Sequence, residues 1–203
     1  MAKMVLLDLE GDTEVLLDYG HDGRHEKNWM PLVVPARLGD KTDDELYLVY
    51  SLDSTVVLHV DATTLETHEI GRSTPSANLT ELRGGSQVVR HRHGESGTGQ
   101  DDRWLCVGHE IVRHKSEPMH GRYYLHRLVE LEGNPAEGLT VSRVSWPFTL
   151  LNLGVEFCAG LCRAPDGSGY LVSFGAAGDE QARLATLPYG RVEELLEEGK
   201  LEP

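Results

Sequence analysis

Three short stretches set ionisable and amide side chains directly beside apolar runs: His25-Glu26-Lys27-Asn28-Trp29-Met30-Pro31, Arg83-Gly84-Gly85-Ser86-Gln87, and Val155-Glu156-Phe157-Cys158-Ala159-Gly160. The first offers an acid, a base and an amide. In the second, two glycines allow a close backbone approach while Arg83 supplies a planar donor fork. The third places a carboxylate among small residues. Further polar sets follow downstream, with Ser51 and Asp53, His109 and Glu110, Ser173 and Asp179, and the pair His126-Arg127 inside an otherwise apolar run. Carboxylates and amides pair with hydroxyl groups and cations with phosphate, so the combined set suits a hydroxyl-rich or phosphate-bearing ligand.

Singly, each of these residues also reads as ordinary structure. Glu26, Lys27 and Arg83 are the kind of charge that usually decorates a surface. A lone His109 or His126 is more often a hydrogen-bonded structural histidine than an acid or a ligand. Gly84-Gly85 serves equally well as a turn, and His91-Arg92-His93, beside a Glu-Ser-Gly-Thr-Gly-Gln-Asp-Asp segment, reads as a solvated loop. It is the recurrence of polar sets at matching places that favours a site. Cys158 and Cys162 have no second Cys or His pair at ligand spacing, so zinc is not expected there, and no cofactor is expected. No Gly-x-Ser-x-Gly, P-loop or Gly-x-Gly-x-x-Gly motif is present.

The matching places come from a repeat of strands. Short alternating runs rich in Val, Leu and Tyr, broken by 22 glycines and nine prolines, predict an all-β chain. In residues 24–72 strands are expected at Asn28–Val34, Glu45–Leu52, Thr55–Val60 and Glu66–Ile70. Residues 82–145 repeat the order at Gly85–His91, Trp104–Val112, Tyr123–Leu131 and Thr140–Val144. Residues 154–187 carry three, at Val155–Arg163, Gly169–Phe174 and Gln181–Leu187. Ahead of them, residues 1–20 hold two runs that read as the outer strands of an incomplete blade. A helix over 189–198, with Pro188 before it and Gly199 after it, begins a C-terminal segment of residues 188–203. About three four-stranded blades in one domain of 203 residues make a partial propeller, which alone leaves open faces and favours association with itself or a partner. The same alternation also allows a β-sandwich with long loops.

Bulk properties narrow the partners. With 19 Lys and Arg against 33 Asp and Glu, the formal charge is −14, which repels phosphate backbones and anionic lipid and so argues against nucleic acid and membranes. Three cysteines set in apolar stretches, and an N-terminus with acidic residues within its first eight to ten positions, predict a reducing, cytoplasmic location.

Six segments in order resemble the later blades of five-bladed carbohydrate-active propellers: Glu26-Lys27-Asn28-Trp29-Met30-Pro31, Leu46–Asp53, Arg83-Gly84-Gly85-Ser86, Gly108-His109-Glu110, Tyr123–Arg127 and Ser173–Asp179. That group is glycoside hydrolase family 130, the mannoside phosphorylases and hydrolases, with the related β-mannosyltransferases. The resemblance implies a partial five-bladed propeller, a mannoside-like glycosyl substrate, a sugar or sugar phosphate as ligand, and no metal. It implies substrate-binding roles for Lys27, Asn28, Arg83, Gly84, Gly85, His109, Glu110, His126, Arg127 and Asp179. The family's catalytic aspartate lies in an earlier Glu-Asp-Pro-Arg-like segment that is not in this sequence. A general acid would then have to come from Glu26, Asp53 or Glu156, or from a partner. The alternative expectation is a non-catalytic glycan-binding or interaction subunit that completes a propeller by oligomerisation.

Overall fold

A computed structural model describes residues 3–8, 11, 13–19, 28–36, 44–74, 78–92, 102–113 and 121–199. The fold over these residues is all-β with one short helix, as the alternation predicts. A hairpin comes first, from β1 (Met4–Asp8) and β2 (Thr13–Leu17). Next is a four-stranded antiparallel meander of β3 (Met30–Val34), β4 (Glu45–Ser51), β5 (Val56–Val60) and β6 (Thr67–Arg72).

The second meander is ordered β11-β10-β9 from its outer edge, built from β9 (Arg103–Arg113), β10 (Arg122–Glu132) and β11 (Thr140–Val144). Its inner edge is shared by β7 (Arg83–Gly84) and β8 (Val89–Arg92), both paired to β9. A third sheet follows, β12 (Phe157–Arg163), β13 (Gly169–Ala176) and β14 (Gln181–Pro188), and then the helix α1 (Tyr189–Glu198).

Strand alternation explains why the sheets stack. In β4, Tyr47 and Val49 point to one face, whereas Leu46, Leu48 and Tyr50 point to the other. The second set packs with Leu58 and Val60 of β5 against Met4, Leu6 and Leu17 of the hairpin. Tyr47 and Val49 instead meet Trp104 and Cys106 of β9 and Val129 and Leu131 of β10. The opposite face of the second meander, Leu105, Val107 and Leu128, packs on Leu161, Tyr170 and Val172 of the third sheet and on Val192, Leu195 and Leu196 of α1. Both meanders are thus buried on both faces, and three apolar layers hold hairpin, meanders, third sheet and helix in series.

The expected strand at Gly85–His91 is interrupted. Residues 85–88 bulge out between β7 and β8, leaving four residues of the inner edge opposite Cys106 and Val107. Ser86 replaces the missing ladder, since its N–H donates to Val107 O (3.0 Å) while Val107 N–H donates to Ser86 Oγ (2.9 Å). His91, read both as the end of that strand and as the start of a solvated loop, lies in β8 and is buried. One ring nitrogen is 2.5 Å from Tyr170 Oη and the other 2.8 Å from Glu193 of α1. Glu193 also accepts from Arg143 (3.0 Å), which forks onto the buried Glu130 at 2.6 and 2.9 Å. This network ties the helix to two sheets.

Candidate functional site

The three motif-bearing strand starts meet side by side. A Cβ on Gly84 would overlap the carbonyl oxygen of Asn28, and one on Gly85 would lie 2.8 Å from Val107 O and 3.2 Å from Cys158 O. The glycine pair is therefore a packing requirement, with one residue pressed on the first meander and the next on the third sheet. The bulge continues the join: Val88 N–H donates to Pro31 O (2.7 Å), and Leu161 N–H donates to Gln87 Oε1 (3.0 Å).

A pocket of about 330 Å³ opens where the first meander meets β7. Asn28, Ser51, Asp53, Thr80 and Arg83 supply its polar wall, and Tyr50 and Trp29 its aromatic one. Asn28 sits at φ 65°, a left-handed conformation that Asn tolerates better than most residues. The turn after β4 fixes Asp53, whose N–H donates to Ser51 Oγ (3.2 Å). Arg83 is exposed and Asp53 half-buried, and among the described residues neither side chain has a hydrogen-bond or ion-pair partner. Two opposite charges from adjacent sheets thus face one open pocket without neutralising each other.

The remaining sequence-predicted residues fall elsewhere. Glu26 and Lys27 lie outside the described residues. Gly85 lines a second groove, of about 740 Å³, along the inner strands. Pro31, Val33, Val89, Ala159 and Leu161 give that groove a mostly apolar wall. Glu110 and Arg127 pair with each other at 2.6 Å, and Arg127 Nη1 also donates to Ser145 O (2.9 Å). Asp179 sits at φ 66° in the exposed turn between β13 and β14, where Gly178 N–H donates to Val155 O (3.3 Å).

His109 and His126 are directly opposed on β9 and β10 and buried against the third sheet. His109 stacks on Tyr124, with ring centroids 5.3 Å apart, and meets Phe157 edge-on. The His126 ring is wholly buried, and neither ring nitrogen has a hydrogen-bond partner. Burial pushes its pKa down to about 4, against the pull of Glu156 Oε2 at 3.9 Å, so the ring is neutral at pH 7. Glu156 itself accepts the N–H groups of Leu150 (2.9 Å), Leu151 (3.0 Å) and Asn152 (2.7 Å), which makes it a clamp on the loop before β12.

Among the described residues no group of three or more His, Cys, Asp or Glu side chains is placed to hold a metal ion, and no helix is long and apolar enough to cross a membrane. Sequence reasoning missed Tyr50 and Thr80 in the pocket wall, whose types carry no signal of their own. No protein-family model, curated protein or solved structure matches this chain.

Proposed function

We propose that the chain is a glycosyl-recognition unit of a carbohydrate-active protein, with its meanders as propeller blades and the Asn28–Asp53–Arg83 pocket as the sugar site. The observation that carries this reading is the pair of unpartnered opposite charges across that pocket. A carboxylate accepts from sugar hydroxyls and a guanidinium donates to them, or grips a phosphate in a fork. Its volume lies at the low end for small-molecule sites, which suits one sugar unit. The parallel order of strands in successive sheets, joined through their inner edges at Ser86–Val88, supports the propeller arrangement.

Recognition is favoured over catalysis by the state of the candidate acids. Glu156 is occupied by three amides and Glu110 by Arg127, so Asp53 is the described candidate carboxylate that faces the pocket. Hydrolysis with inversion uses two carboxyl groups roughly 6.5–9.5 Å apart. Exposed apolar side chains at both ends of the stack, Val5, Leu7 and Leu16 on the hairpin and Leu184 on β14, support association with a second copy or a partner chain. The buried thiols of Cys106 and Cys158, each pushed up to about 12 by burial, fit a cytoplasmic setting without requiring it.

Calorimetric titration with mannose and mannose 1-phosphate tests the site. Binding that Arg83→Ala and Asp53→Ala each weaken at least tenfold is the expected result. Binding indifferent to both changes, or none at all, would remove the pocket from consideration.

A further inference from the structure

Resting on the reading of the Asn28–Asp53–Arg83 pocket as a sugar site, we propose that its ligand is an amino sugar phosphate, with the ammonium group on Asp53 and the phosphate on Arg83. Two of the described residues lining the pocket are charged, and their charges are opposite. Asp53 stands in the turn after β4 of the first meander and Arg83 in β7 of the second, so the two charges enter the pocket from different sheets. Among the described residues neither side chain has a hydrogen-bond or ion-pair partner.

That pair discriminates between classes of sugar. A neutral sugar takes water from a carboxylate and a guanidinium and returns only hydroxyl contacts. A plain sugar phosphate satisfies Arg83 but brings more negative charge beside Asp53, in a chain whose formal charge is already −14. An ammonium group on the same ring turns that repulsion into attraction, and each pocket charge then meets its opposite. In a 2-amino sugar 6-phosphate, the carbon that bears the amine and the carbon that carries the phosphate arm stand across the ring from each other. One ring therefore presents a cation on one side and an anion on the other.

The rest of the wall suits the ring between them. Ser51 Oγ accepts the Asp53 N–H (3.2 Å) and fixes the turn that carries the carboxylate. Tyr50, held edge-on by Trp29 with ring centroids 5.3 Å apart, adds an aromatic surface close in sequence to Asp53, a combination that attracts ammonium groups. The Thr80 hydroxyl donates to Asn78 Oδ1 (2.6 Å), which leaves its oxygen to accept from a ligand hydroxyl.

Calorimetric titration of the full-length protein with glucosamine 6-phosphate and glucose 6-phosphate measures the contribution of the amine as a ratio of affinities. Glucosamine 6-phosphate is expected to bind at least about tenfold more tightly. N-acetylglucosamine 6-phosphate, which keeps the nitrogen but not its charge, should bind no more tightly than glucose 6-phosphate. Asp53→Asn should bring the ratio close to one, whereas Arg83→Gln should weaken both ligands and leave the ratio unchanged. A ratio near one in the native protein, or one that Asp53→Asn does not alter, would overturn the amino sugar and leave the sugar pocket standing. O-phosphoethanolamine carries both charges without a ring, and its binding as tightly as glucosamine 6-phosphate would overturn the sugar itself. Absence of any Arg83-sensitive binding would overturn this proposal together with the reading on which it rests.

Discussion

Gly84 is pressed against Asn28 so closely that its α-carbon has no room for a side chain: a Cβ would overlap Asn28 O and lie 2.8 Å from Met30 Cγ. The contact joins the two sheets at the wall of the candidate pocket. Gly84→Ala is expected to cost about 1–3 kcal/mol, because backbone cannot give way as a flexible side chain can. Gly178→Ala is the control. It has open space around it but φ 77°, and only the left-handed penalty of roughly 1 kcal/mol applies. Urea denaturation of the two variants should rank them in that order, and only Gly84→Ala should also disturb ligand binding.

His126 gives stability a dependence on pH. Its folded pKa of about 4 lies below the ordinary histidine value of 6.5, so between those limits the unfolded chain binds more protons than the folded one. Stability from keeping this ring neutral is complete above about pH 6.5 and falls as pH drops towards 4. A shift of that size corresponds to at most about 3 kcal/mol. Melting temperature followed from pH 7.5 to 4.5 should decline more steeply in the native protein than in His126→Gln. Parallel curves would show that the buried ring is not the titrating group.

Glu156 holds its loop through three amide hydrogen bonds to one carboxylate. Glu156→Gln removes the charge and half of the acceptor capacity, at a cost of about 1.5–3 kcal/mol if the bonds are not remade. Hydrogen exchange at Leu150, Leu151 and Asn152 should accelerate selectively. Exchange at those amides equal to that of the native protein would mean that the loop is held by other contacts.

Much of the fold was legible in the sequence because strand alternation is local. The run Leu46-Tyr47-Leu48-Val49-Tyr50 announces a strand buried on both faces, and β4 feeds two separate cores. The helix and its limits were equally readable from Pro188 and Gly199. What the sequence did not disclose depends on distant partners. His91 meets Tyr170 and Glu193, 79 and 102 residues away, and nothing local distinguishes it from a loop histidine. The split of the inner strand into β7 and β8 arises from Gly85 meeting Val107 and Cys158, a contact made across two sheets. In the candidate site, the motifs identified Asn28, Asp53 and Arg83, but not that Glu110 and Arg127 neutralise each other or that Glu156 is occupied.

Arg143 bridges the buried Glu130 and Glu193 of α1, and it controls how the helix is docked. Burial raises the pKa of Glu130, but the hydrogen bonds and charge of Arg143, with Ser142, outweigh it and hold the carboxyl below its ordinary value. Arg143→Ala leaves that carboxylate buried without its main partner, a change that typically costs about 3–5 kcal/mol. Glu193→Ala removes only the helix end of the bridge and leaves the Glu130 fork intact, so a smaller loss is expected. Arg143→Ala combined with Glu130→Leu should recover stability lost by Arg143→Ala alone, since the unpaired charge is gone. If the double variant is no more stable than the single one, packing of the Arg143 stem rather than its charge is what matters.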